Sequence, residues 1–181
     1  MEPNPFVYRT LELNAGLNVE KMRIVPLNFA AMPEDGEYTF EYSDPSYCNG
    51  GLHRGMSRWK HAHAFPLKVQ GKCLESYLER EHPECLPRLR YIKTDLEGFD
   101  YEVLLSLRPL LERTRPYIKA EIYKHAPEKT RVDMLELFTT LDYTVYHIES
   151  EAEYRGERVT PDNVNQWRHY DIFCVPNAAE G

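Results

Sequence analysis

Between Tyr91 and Leu105 a short apolar run ends in two carboxylates, Asp95 and Glu97, followed at once by Gly98 and a helical pattern. A strand that closes on acids and a glycine delivers them to the carboxyl edge of a sheet, where α/β folds place their ligands. The two acids are two positions apart, so a strand end or tight turn aims both at one crevice. One helix later a second alternating strand, Pro116–Tyr123, ends near another acid, Glu121. This pattern restricts the chain to an α/β architecture with an acidic edge.

The rest of the sequence supplies the other layers. Residues 5–18 read as a helix, with Pro5 in the first position, Asn4 as its cap and Gly16 and Asn18 as terminators. Residues 22–31 read as a strand that Pro26 weakens. Residues 37–42 and 65–70 read as strands able to pair, and Leu74–Glu81 as a short helix. Arg88–Thr94 is a strand and Asp100–Leu107 a helix whose last turn Pro109 disturbs. Strand 116–123, helix 128–141, strand 143–149, a polar loop over 151–167 and strand 170–175 complete the series. Alternation of strands and helices predicts a mostly parallel sheet covered on both faces. Two successive strands at the end predict a closing antiparallel pair.

Charge and cysteine usage narrow the function. Lys and Arg number 22 against 29 Asp and Glu, a net charge of −7, which argues against a nucleic-acid partner. No apolar run reaches the roughly 20 residues that span a bilayer, and the start is not a signal peptide. Four widely spaced cysteines fit free thiols in a reducing cytoplasm better than a disulfide framework. Residues 43–64 lack periodicity and read as a long loop, with Tyr47, His53, Trp59, His61 and His63. Cys48, His53, His61 and His63 match no closed metal-site spacing. Tyr47, His53, Trp59 and His61 are better suited to stacking on or hydrogen-bonding a polar substrate, the alternative being that the loop is merely a disordered insertion.

The run Ile92-Lys-Thr-Asp-Leu-Glu-Gly-Phe-Asp-Tyr-Glu-Val-Leu104, with Arg115-Pro116 and Ile118-Lys-Ala-Glu-Ile122 after it, resembles the FkbM-type methyltransferases. Glu2-Pro-Asn-Pro5, Asn28-Phe-Ala-Ala31 and Leu141-Asp-Tyr143 extend the resemblance over residues 1–176, with Asp142 where the family usually has glycine; residues 177–181 read as a frayed tail. The resemblance implies a class I methyltransferase fold, Rossmann-like, with S-adenosylmethionine as cofactor and a small-molecule hydroxyl, sugar-like or secondary-metabolite-like, as methyl acceptor. It implies that Glu2 holds the ribose hydroxyls, that Asn28 or Ala30 lies near the adenine, and that Asp95 and Glu97 face the methyl-transfer region. A carboxylate suits a diol because it accepts two hydrogen bonds. The family's glycine-rich cofactor motif belongs before Glu2, so the expectation is a domain lacking its first strand, first helix and most of its second strand. Such a domain would expose a sheet edge prone to self-association.

Competing readings stand beside these. Asp95 and Glu97 serve either as base and hydroxyl acceptor or as caps of the helix that begins near Gly98, and the two roles are compatible. Glu121 is either a substrate contact or the polar side of a half-exposed strand. Lys93 reads as a solvated or ion-paired lysine. The rival to a methyltransferase is a noncatalytic remnant of that fold that acts by binding. A dehydrogenase is disfavoured by the lack of a Gly-x-Gly-x-x-Gly run.

Overall fold

The computed structural model describes residues 1–17, 19–21, 23–42 and 65–177. The chain divides into two compact units, Met1–Leu74 and Glu75–Gly181.

In the first unit helix α1 (Pro5–Gly16) begins as the sequence predicts. The Asn4 side chain accepts from the Phe6 N–H at 2.9 Å, and Pro5 occupies a position whose N–H has no helical partner. A three-stranded sheet follows, in the order β1 (Ala30–Met32), β3 (Phe65–Cys73), β2 (Gly36–Tyr42). β1 runs parallel to β3, and β2 runs antiparallel to it with Tyr42 opposite Phe65. The expected strand over 22–31 is reduced to its last residues. Residues 23–28 have no regular secondary structure, because their polar groups are bonded to the start of the chain instead. Glu2 N–H donates to Leu27 O at 3.0 Å, and the Asn28 amide donates to the carbonyls of Glu2 and Pro3 at 2.8 and 3.3 Å. Pro26 has no N–H to offer a sheet.

The second unit is built on a four-stranded sheet in the order β4 (Tyr91–Lys93), β5 (Tyr117–Ile122), β7 (Tyr170–Pro176), β6 (Tyr143–His147). Helix α2 (Leu74–Glu81) and a 3-10 turn over Pro83–Arg88 precede it. β4 and β5 are parallel; β7 is antiparallel to both β5 and β6. The expectation of a mostly parallel arrangement is therefore corrected. Among the described residues two strand pairings are parallel and three antiparallel. The closing antiparallel pair is present, but β7 returns between β5 and β6 and so contributes two antiparallel ladders rather than one.

Pro109 does not merely disturb a helix; it starts a new one. Helix α3 (Asp100–Ser106) and helix α4 (Arg108–Thr114) meet at Leu107, which caps both, and Pro109 lies in the first turn of α4, where a missing N–H costs nothing. Helix α5 (Glu128–Thr140) buries Met134, Leu135, Leu137 and Phe138. These pack with Leu104, Leu107, Leu110, Leu111, Ile118, Ala120, Ile172 and Cys174 into the apolar centre of the unit.

Two arginines fasten the connections. Arg115 ends α4 in the left-handed conformation (φ 50°). Its guanidinium donates to the carbonyls of Leu141 and Asp142 and lies 4.8 Å from the centre of the Tyr143 ring. Arg131 on α5 is buried, and among the described residues it has no carboxylate partner. It donates instead to four carbonyls: Ala126 at 3.2 Å, Tyr123 at 3.2 Å, Trp167 at 2.6 Å and Arg168 at 2.7 Å. That tie joins the exit of β5 to the entrance of β7. Replacing Arg131 with methionine keeps the stem but strands those carbonyls, so Arg131→Met should cost about 3 kcal/mol. Urea denaturation checks this, and an unchanged midpoint would refute the tie.

Candidate functional site

Strand direction gathers the site. β4 and β5 are parallel, so their carboxyl ends share one edge. β7 is antiparallel with Tyr170 opposite Ile122, which brings the start of β7, and His169 just before it, to that same edge.

Thr94 N–H still donates to Lys119 O at 2.9 Å, extending the ladder one residue past β4. The chain then turns sharply. Glu97 (φ 53°) and Gly98 (φ 95°) are both left-handed, and the Asp100 carboxylate accepts from the Leu96 N–H at 3.1 Å. Glycine is required at position 98 on two counts. Its φ favours glycine, and an added Cβ would sit 2.9 Å from Tyr123 Cδ1.

Four acids result, in different settings. Asp95 is exposed, with Lys93 Nζ 3.4 Å away. Glu97 lies in the turn, and its charge reaches Glu121 and Tyr123. Asp100, 1% exposed, is pushed up to about 6 by burial; the Thr94 hydroxyl and the N–H groups of Leu96 and Glu121 pull the other way, and the Asp95 charge adds to the rise. The Thr94 hydroxyl favours the charged carboxylate by proximity, yet neither Thr94 Oγ1 nor Asp100 Oδ1 completes a well-formed hydrogen bond. Glu121, 9% exposed, is raised to about 7, first by burial and then by the charges of Asp95, Asp100 and Glu97, against a lowering contact with His169. Its Oε1 is 2.7 Å from His169 Nε2, and its Oε2 is buried with no partner.

A shallow cleft opens beside these groups, lined by Gly98, Asp100, Glu121, Tyr123, Arg131 and Met134. The Tyr123 ring stands edge-on to His125 and to His169, with centroids 5.5 and 6.3 Å away. Among the described residues no group of three or more His, Cys, Asp or Glu side chains is arranged to hold a metal ion. No helix among them is long and apolar enough to cross a membrane.

Glu2, Asn28 and Ala30 belong to the first unit. Glu2 is half-buried; one carboxylate oxygen accepts from the Asn4 N–H at 2.8 Å. Burial pushes its carboxyl up, with the Asn4 bond opposing. Asn28 is brought against Glu2 by its side-chain amide. Ala30 is buried in β1 opposite Gly71.

A family model described as the methyltransferase FkbM domain matches residues 1–157. The chain belongs to this family. Comparison with curated proteins and with solved structures found no match.

Within the FkbM domain, the structure brings Asp95, Glu97 and Glu121 to one edge of the second unit, and joins Glu2 to Asn28 in the first. His53 and Trp59 lie outside the described residues. Sequence reasoning missed Asp100 and His169. Asp100 read as a helix start, although it is the third acid within six residues. His169 lies beyond the matched region, and only the pairing of β7 against β5 places it beside Glu121.

The two raised carboxyls have a consequence for stability. Each binds its proton more tightly in the folded state than in the unfolded one, so its contribution is fully present below the ordinary carboxylate range and is lost as pH rises through about 6 for Asp100 and about 7 for Glu121. The urea midpoint of the wild-type protein should therefore fall across that window. In Asp100→Asn, which keeps an oxygen for the Leu96 N–H, the fall should be shallower. Parallel pH profiles for the two proteins would show that Asp100 is not held in its protonated form.

Proposed function

We propose that this FkbM domain transfers a methyl group from S-adenosylmethionine to the hydroxyl of a small molecule, sugar-like or secondary-metabolite-like, within a Rossmann-like class I methyltransferase fold. The family match over residues 1–157 carries the reading. The α/β architecture with mixed sheets and the acidic edge are consistent with it.

The residues present suit the cofactor. Glu2 offers a half-buried carboxylate with one oxygen taken by Asn4 and the other without a hydrogen bond among the described residues, a fit for a ribose diol. Asn28 spends its amide N–H groups on the Glu2 and Pro3 carbonyls, so its contribution beside an adenine is to hold the loop and present its oxygen. Ala30 presents no side chain that would crowd a ring. Bound S-adenosylmethionine supplies a methyl group on a positively charged sulfur.

Asp95 and Glu97 then orient the acceptor hydroxyl, and Glu121 lies deeper as a contact of the same cleft. Alignment of donor and acceptor is the main task the protein performs for such a reaction. His53 and Trp59 remain candidate substrate contacts in this reading, outside the described residues. The net charge of −7 favours a small-molecule acceptor over a nucleic acid.

Titration calorimetry with S-adenosylmethionine tests the reading directly. Glu2→Gln should weaken binding by about tenfold, the scale of one lost charged hydrogen bond. Transfer of labelled methyl groups to a panel of methyl glycosides follows. Asp95→Asn and Glu97→Gln should reduce transfer while changing stability by no more than about 1 kcal/mol, the scale of a helix cap. A chain that binds no S-adenosylmethionine fails the proposal and favours the noncatalytic binding protein.

A further inference from the structure

The pair at the edge of the cleft has a division of labour that the acids in the β4–α3 turn lack. Glu121 is almost wholly buried, whereas the side chain of His169 remains 49% exposed. Their contact, Nε2 to Oε1 at 2.7 Å, occupies one imidazole nitrogen. The other, Nδ1, has no hydrogen-bond partner among the described residues. Once Glu121 is ionised it accepts from Nε2–H, and the lone pair is then left on Nδ1.

The imidazole is also fixed in place. On one side of it, the carbonyls of Trp167 and Arg168 are held by Arg131. On the other, the Tyr170 hydroxyl donates to Val164 O at 2.7 Å. Tyr123 packs edge-on against the ring.

We propose that His169 is the catalytic base of this domain, taking the acceptor hydroxyl's proton on Nδ1, with Glu121 as the positioning residue that keeps the other proton on Nε2. The inference rests on the methyl-transfer reading above. An alcohol must lose its proton as its oxygen attacks carbon. The O–H bond breaks, its electron pair stays on oxygen as the O–C bond forms, and the proton goes to Nδ1. The pair of the broken C–S bond remains on the donor's sulfur. Glu121 balances the charge that the imidazole gains. Histidine is the side chain most often used as a general base in such a step.

The groups that bear on this titration come from each neighbouring segment. Asp95 and Glu97 from the β4–α3 turn and Asp100 from α3 act on Glu121. Tyr123 adjoins His169, and His125 adjoins Tyr123, both just past β5. Arg131 from α5 is bonded to the carbonyl of Arg168, next to the histidine.

Nitrogen-15 NMR of histidine-labelled protein reads the arrangement without any turnover. The neutral form of His169 should carry its proton on Nε2 and show an unprotonated Nδ1. In Glu121→Gln the preference for Nε2 should weaken, read as a mixture of the two neutral tautomers. In the methyl-transfer assay, with whichever glycoside probe the wild-type protein methylates, His169→Gln should lower turnover roughly 100-fold with S-adenosylmethionine affinity unchanged by calorimetry. Added imidazole should restore part of the turnover of His169→Ala. A neutral ring protonated on Nδ1, or His169→Gln with full turnover, overturns the assignment of the base and leaves methyl transfer standing. A wild-type chain that neither binds S-adenosylmethionine nor transfers methyl overturns both.

Discussion

The pairing of Ile122 with Tyr170 decides which side chains meet in the second unit. Side chains in a sheet alternate between faces with a period of two, so a slip of one residue in that ladder would send Glu121 and its neighbours to the opposite side. The register is enforced from both ends. Within the sheet, Ile118, Ala120, Ile172 and Cys174 fill the core. At the edge, Arg131 holds the chain that enters β7. Lys119 adds a cross-strand tie to Asp171 at 2.7 Å. Apolar packing supplies the driving force for the sheet; the polar ties select one register from the several that packing alone would accept.

The acidic edge is held against an electrostatic gradient. Asp100 and Glu121 are buried, close to two further acids, and each has a carboxylate oxygen without a partner. Burial and like charge both disfavour the ionised forms. A fold that needed only stability would place amides or apolar groups there. Perturbed carboxyls gathered at the rim of a cleft are instead the arrangement associated with functional sites, since it gives groups that exchange protons near neutral pH.

Much of this was legible in the sequence, and what was not has identifiable physical causes. Asn4-Pro5 announced α1, the spacing of Leu135, Phe138 and Leu141 announced α5, and the Asp95-Leu-Glu-Gly98 run announced the acidic turn. The shortness of β1 was hidden, because it depends on Asn28 and Leu27 bonding to residues some 25 positions away in the chain. The two-helix answer to Pro109 was hidden because proline both ends and begins helices. Glu121 could be named from its strand, but its partner His169 could not. That contact spans 48 positions and follows from the direction of β7 between β5 and β6, which local pattern does not encode.

The junction at Leu107 has a mechanical meaning. Leu107 N–H reaches back to Val103 and Leu104, its carbonyl accepts from Leu111, and Leu111 in turn accepts from Arg115. The hydrogen-bonded rail therefore runs unbroken round the bend from α3 to α4, making a stiff elbow rather than a hinge. One arm of that elbow starts at Asp100, on the floor of the cleft. The other ends at Arg115, clamped to the turn between α5 and β6. One continuous run of hydrogen bonds thus connects a residue that lines the cleft to the turn before β6, so the two ends of the elbow share one frame.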